Sequence, residues 1–179
     1  MSTLILSNYR CGTTFYGKNY AEENNLVFLD EMFHESFNKK QLQTQWRRFN
    51  QENCVAKIFP THVLPEYEYT QVEYHKLLKP KKVIVIKREN VLEQVKSFIV
   101  AKKLQEECNI NWHQQFKDLK TIKVSHHYFE FWFQRIVKQN QQIQELADFF
   151  KVPTETVWYE SFATKRHRYK RPVELIVFN

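Results

Sequence analysis

The chain has 179 residues, 42% of them apolar and 26% charged, with a formal net charge of +7. These are the proportions of a folded globular protein with a substantial core, and they exclude a disordered or fibrous polypeptide. Three widely spaced cysteines, Cys11, Cys54 and Cys108, form no C-x-x-C pair, which argues against a disulfide framework or a zinc site and fits a reducing compartment.

The longest apolar run, around Val83–Ile86, is far too short to cross a bilayer, and no basic segment leads into a long apolar stretch at the N-terminus. A cytoplasmic location and a single domain over residues 1–179 are therefore expected. The positive charge favours an anionic partner, either nucleic acid or a phosphorylated small molecule. Two runs concentrate it, Lys79–Lys82 and the cluster KRHRYKR at Lys165–Arg171, although such runs are also ordinary solvated surface.

In chain order, β-branched and apolar runs predict strands at Thr3–Ser7, Leu26–Leu29, Val55–Phe59, Val83–Lys87 and Thr156–Tyr159, with a weaker sixth at Thr121–Ser125. Helical spacing predicts helices over Gly12–Glu23, Ser36–Gln51, Tyr67–Leu78, Val91–Glu107 and Phe129–Phe150. The last carries Phe133, Ile136, Val137, Ile143, Leu146, Ala147 and Phe150 on one face. Strands alternating with helices imply crossover connections, so the expected fold class is α/β, a mostly parallel sheet flanked by helices. Phe28, Phe59 and Phe149 are expected in the core, which removes aromatics that a nucleic-acid-binding surface would use for stacking.

The chain contains only two glycines, Gly12 and Gly17, where average usage of about 7% would supply roughly a dozen. Both fall in LILSNYRCGTTFYGK, Leu4–Lys18, where the first strand turns into the first helix. Ligands of parallel α/β sheets bind beyond the carboxyl ends of the strands. The first N–H groups of a helix there have no internal partner and, with the helix dipole, favour an anion. Gly12 would let backbone approach a phosphate, and Thr13 and Thr14 would add hydroxyls; a plain turn would use the same glycine. Taken as the second glycine of a Walker A loop, Gly12 has no glycine five residues before it and is followed by threonine, not lysine.

Tyr9-Arg10-Cys11-Gly12-Thr13-Thr14 resembles the 5′-phosphosulfate loop of sulfotransferases that use 3′-phosphoadenosine 5′-phosphosulfate (PAPS). In that family the loop carries proline or serine, then arginine or lysine, then Ser-Gly-Thr-Thr. Cysteine stands here in place of the usual serine, so one hydroxyl is lost while the backbone donors remain. VIVIKRENVLEQVKS, Val83–Ser97, resembles the family's 3′-phosphate site, an arginine at a strand end and a serine on the following helix. Shorter matches follow in family order. FLDEMF at Phe28–Phe33 and VAKIFPTH at Val55–His62 resemble segments after the second strand and on the third strand. Asn-Trp-His, ending at His113, and WYESF at Trp158–Phe162 resemble later segments.

The resemblance implies a P-loop NTPase-like sulfotransferase fold and in-line transfer of a sulfonate from PAPS to a hydroxyl, with PAP as the product nucleotide. It implies that Arg10 and the N–H groups of Cys11, Gly12, Thr13 and Thr14 hold the 5′-phosphate, and that Arg88 and Ser97 read the 3′-phosphate. Arg166, Arg168 and Arg171 would close over the nucleotide as a basic C-terminal loop. Glu31 stands where related bacterial enzymes keep a catalytic glutamate, with Glu35 and His34 as fallback bases, and Phe33 would partly desolvate it. Glu160 is expected to anchor structure. No metal is required, and His126-His127, placed in a strand, would face opposite ways. The expected acceptor is a sugar or glycan more than a peptide tyrosine. Two other classes stay open, a P-loop-like nucleotide or small-molecule kinase and a basic nucleic-acid-binding module.

Overall fold

The computed structural model describes residues 1–32, 39–59, 77–109, 120–163 and 173–179. Among these residues seven strands are formed, β1 (Ser2–Ser7), β2 (Val27–Glu31), β3 (Cys54–Ile58), β4 (Lys82–Lys87), β5 (Lys120–Ser125), β6 (Thr154–Trp158) and β7 (Val173–Phe178). The helices are α1 (Thr13–Glu23), α2 (Lys39–Gln51), α3 (Val91–Cys108), α4 (His126–Phe150) and the single turn α5 (Tyr159–Phe162). The helix expected over Tyr67–Leu78 falls almost wholly outside the described residues.

Five strands form a parallel sheet in the order β2-β3-β1-β4-β6, so the expected α/β architecture is what the chain adopts. Strand β1 is central and all six of its residues are buried. Because successive side chains point to opposite faces, the sheet separates two cores. Leu4, Leu6, Ala56, Ile58, Val83 and Val85 meet Leu42 and Phe49 of α2 and Ile143, Leu146 and Phe150 of α4. Ile5, Val55, Ile84 and Ile86 meet Ala21, Tyr16 and Tyr20 of α1 on the other side. Strands buried on both faces read as continuous apolar runs, which is why VIVI and LIL stand out in the sequence.

Strand β5 is not part of this sheet. It pairs in parallel with β7 over six residues, from Lys120 opposite Val173 to Ser125 opposite Phe178. Residues 173–178, VELIVF, are a strand that the sequence reading does not include. The place beside β4 is taken by β6, and Ile122 and Val124 of β5 are buried instead with Val95, Phe98 and Ile99 of α3 and Ile136 of α4.

Helix α4 starts at His126, three residues earlier than expected, because Ser125 caps it by accepting from the Tyr128 N–H. The two histidines therefore open a helix and not a strand, and the His126 imidazole lies 3.5 Å from the Glu130 carboxylate. Phe149, expected in the core, is 37% exposed; the neighbouring Phe150 takes the buried position. Among the described residues, no helix is long and apolar enough to cross a membrane.

Candidate functional site

Strand β1 delivers the chain at Ser7 to the carboxyl edge of the sheet, and the loop at 8–12 is held there by buried polar contacts. The Asn8 side chain accepts from the Tyr9 N–H at 2.8 Å and donates to the Ile136 carbonyl at 3.2 Å and the Asn140 amide oxygen at 3.0 Å, both on α4. From α3, Gln94 donates to the Tyr9 carbonyl at 2.7 Å and approaches the Cys11 sulfur at 3.2 Å. Arg10 and Gly12 both lie in the left-handed region, at φ 63 and φ 66, and this pair of reversals turns the chain into α1.

Gly12 is needed here twice over. Its positive φ disfavours any L side chain, and a Cβ would come within 3.0 Å of the Tyr159 ring and 3.1 Å of Phe162. It sits at the N-cap of α1 with no capping side chain and no acidic residue in the first turn. The helix's own bonding starts with the Tyr16 N–H donating to the Gly12 carbonyl, so the amides of Thr13 and Thr14 precede it. The geometry is that of an uncapped helix start ready for an anion.

Gly17 has a different task. A Cβ there would lie 2.5 Å from the Phe28 ring, so it lets α1 pack close against β2. The spacing Gly12-x4-Gly17-Lys18 copies that of a Walker A loop short of its final hydroxyl residue. Gly17 and Lys18 nevertheless lie inside α1, with Lys18 exposed, so that spacing does not form a phosphate cradle.

The two threonine hydroxyls differ in what they leave for a ligand. Thr13 is buried and its hydroxyl is hydrogen-bonded to that of Ser7. The Thr14 hydroxyl accepts from the Lys57 ammonium at 2.5 Å. Thr13 is thus a structural partner, whereas Thr14 only accepts and keeps its own O–H to donate, so the loop's candidate phosphate donors are its backbone amides, the Thr14 hydroxyl and nearby cations. The Cys11 thiol is buried, and desolvation pushes its pKa up to about 12. It packs and does not react.

Arg10, Ser97 and Arg88 come from three separate elements and meet. The Arg10 Nε donates to the Ser97 hydroxyl at 2.9 Å, and an Arg88 terminal nitrogen donates to the Arg10 carbonyl at 3.3 Å. Arg88 is clamped from behind. Its guanidinium stacks 4.7 Å above the Tyr159 ring and lies 3.8 Å from the Glu160 carboxylate, which also accepts the Glu89 N–H at 3.1 Å. Glu160 accordingly anchors this corner. The buried Arg88 Nε has no hydrogen-bond partner among the described residues.

Lys57 is the residue that the sequence reading left without a role. It is the penultimate residue of β3, with its side chain 4% exposed. Its ammonium lies 2.7 Å from the Asp30 carboxylate, 3.1 Å from Glu31, and 5.3 Å from the centre of the Phe59 ring. A buried lysine on an otherwise apolar strand, VAKIF, was the available signal, because such a charge needs partners. Glu31 is thereby placed at the sheet edge, ion-paired and partly exposed. Phe33, His34, Glu35, Trp112, Arg166, Arg168 and Arg171 lie outside the described residues. Among the described residues, no group of three or more His, Cys, Asp or Glu side chains could hold a metal.

No family model matches the chain, and no curated protein matches it in sequence. Among solved structures it is similar to the YorR protein of Bacillus subtilis in complex with phosphorylated GDP. That likeness has a TM-score of 0.48 at 12% identity and covers 90% of this chain and 88% of that one.

Proposed function

We propose that the chain binds a phosphorylated nucleotide at the β1–α1 loop and transfers a group from it, and that the donor is PAPS. The observation that carries this reading is the convergence of Arg10, Arg88 and Ser97 around one uncapped helix start. The first two are guanidinium groups beside backbone donors, a combination suited to two phosphates on one small molecule.

In the proposed reaction the sulfur–oxygen bond to the donor's 5′-phosphate breaks, and its electron pair goes to that phosphate oxygen. The acceptor's hydroxyl oxygen forms the new bond to sulfur and gives its proton to the Glu31 carboxylate. Arg10 offsets charge developing on the departing phosphate, and positioning supplies much of the rest. Lys57 holds Glu31 at the sheet edge. No metal enters this scheme, and the acceptor is a hydroxyl compound of the carbohydrate type.

A nucleoside triphosphate donor, as in a small-molecule kinase, is the second reading. It is favoured by the cluster of Lys57 with the Thr14 hydroxyl and the Asp30 and Glu31 carboxylates, which offers a cation for phosphate and oxygens for a magnesium ion. One experiment separates the two. Calorimetry should show adenosine 3′,5′-bisphosphate binding without magnesium and AMP, ATP or GTP binding far more weakly. Tight, magnesium-dependent triphosphate binding with no preference for the bisphosphate would favour the kinase reading.

A further inference from the structure

Beside the loop, between α3 and α4, a cleft of about 210 Å³ is lined by three aromatic rings, Tyr9, Phe98 and Trp132, with Lys102, Glu106 and Arg135 at its margin. An engineered apolar cavity of about 150 Å³ takes up benzene, so there is room for one six-membered ring. Phe98 is buried between Tyr9 and Trp132, at 5.2 and 4.7 Å between ring centres, so the half-buried Tyr9 and Trp132 supply the aromatic surface that such a ring, aromatic or the C–H face of a sugar, would meet.

The charges at the margin are not equivalent. Lys102 and Arg135 both lie against the Trp132 ring, at 5.4 and 5.5 Å from its centre. The Lys102 ammonium is neutralised by Glu106 at 2.7 Å. Arg135 is exposed and has no carboxylate partner among the described residues. A guanidinium held beside an aromatic platform is a fork for a carboxylate.

The position of the cleft ties it to the proposed chemistry. Tyr9 immediately precedes Arg10, and Phe98 immediately follows Ser97, while the Arg10 and Ser97 side chains touch. Consecutive Cα atoms lie about 3.8 Å apart, so the cleft and the Arg10–Ser97 contact are neighbours.

We infer that this cleft binds a single hydroxylated six-membered ring bearing a carboxylate, held by stacking on Trp132 and by Arg135. Resting on the transfer proposed above, this ring is the acceptor, its hydroxyl turned towards the loop.

The test is calorimetry on the full chain without nucleotide, using glucuronate against glucose and 4-hydroxybenzoate against phenol. The two pairs distinguish a sugar acid from an aromatic acid. At least one acid should bind ten times or more tightly than its neutral counterpart. Arg135→Ala should abolish that preference, Arg135→Lys should keep part of it, and both should bind adenosine 3′,5′-bisphosphate as the parent does. Trp132→Leu should weaken acid and neutral ring alike. Equal binding of acids and neutral rings, or an Arg135→Ala variant that keeps the preference, would overturn the inference. With PAPS added, the favoured acid should be converted to its sulfate ester; binding without conversion overturns its role as acceptor. Acid binding through Arg135 with no bisphosphate binding supports the cleft and sinks the nucleotide reading, and the reverse result overturns the cleft alone.

Discussion

The guanidinium of Arg10 donates to the hydroxyl of Ser97 across 87 positions of sequence, at 2.9 Å. The contact fixes the direction of the loop's arginine before any ligand arrives. Residues that share a hydrogen bond couple, commonly by about 0.5–3 kcal/mol. Arg10→Ala should lower turnover more than it weakens product-nucleotide binding, and Arg10→Lys should keep part of the activity. Ser97→Ala should cost roughly tenfold in bisphosphate affinity, and the double variant should lose less than the two losses added. Strict additivity in calorimetry would mean that the contact does not orient Arg10.

Arg88 should decide nucleotide choice. Hydrogen bonds to charged groups contribute about 1.5–3 kcal/mol each, so Arg88→Ala should weaken bisphosphate binding roughly ten- to a hundredfold while leaving AMP nearly unchanged. Because Arg88 also stacks on Tyr159 and bonds the Arg10 carbonyl, the variant should melt at a lower temperature. Parallel AMP and bisphosphate titrations separate the two effects: an equal loss for both ligands would assign Arg88 to structure alone.

Gly12→Ala tests the loop backbone. A left-handed conformation costs an L residue about 1–2 kcal/mol, and the new methyl would also press on Tyr159 at 3.0 Å. For a chain of this size the backbone term alone corresponds to a fall in Tm of roughly 2–8 °C. An unchanged melting curve would show that the loop relaxes freely.

Glu31→Gln should preserve fold and bisphosphate binding while reducing group transfer at least a hundredfold, since a positioned base contributes about 10²–10⁴. The amide also removes one charge beside Lys57. Transfer that survives Glu31→Gln but is abolished by Glu35→Gln or His34→Ala would move the base along the chain and keep the enzyme class.

The buried thiols give a pH dependence of stability. Burial raises Cys11 from 9.0 to about 12 and Cys54 from 9.0 to about 11. Above pH 9 the unfolded chain loses these protons and the folded chain keeps them, so the unfolded state binds fewer protons and stability falls as pH rises. The decline should start near pH 9, approach about 1.4 kcal/mol per pH unit for each thiol, and end above the folded values. Denaturation of Cys11→Ala and Cys54→Ala between pH 8 and 11 checks it. Alkylation of native Cys11 at pH 8 should be slow until the chain unfolds.

The sequence by itself determined the alternation of strands and helices, because strands buried on both faces must be apolar throughout and α4 must carry a helical stripe. It also marked the β1–α1 loop through its glycines, since strand ends and helix starts are local patterns, whereas Arg88 and Ser97 were named only by resemblance to a family. Tertiary structure alone decided the rest. Strand β5 leaves the central sheet for β7, a pairing between segments 53 residues apart at Lys120 and Val173 that no local pattern encodes. The two glycines read alike in sequence, yet one turns the loop and the other admits the Phe28 ring, and only the packed neighbours distinguish them. Thr13 and Thr14 read alike as ligand donors, yet Ser7 takes up the Thr13 hydroxyl while Lys57 donates to Thr14 and leaves its O–H to give. Lys57 gained its place for the same reason: a buried ammonium is defined by the carboxylates that surround it, and those arrive from another strand.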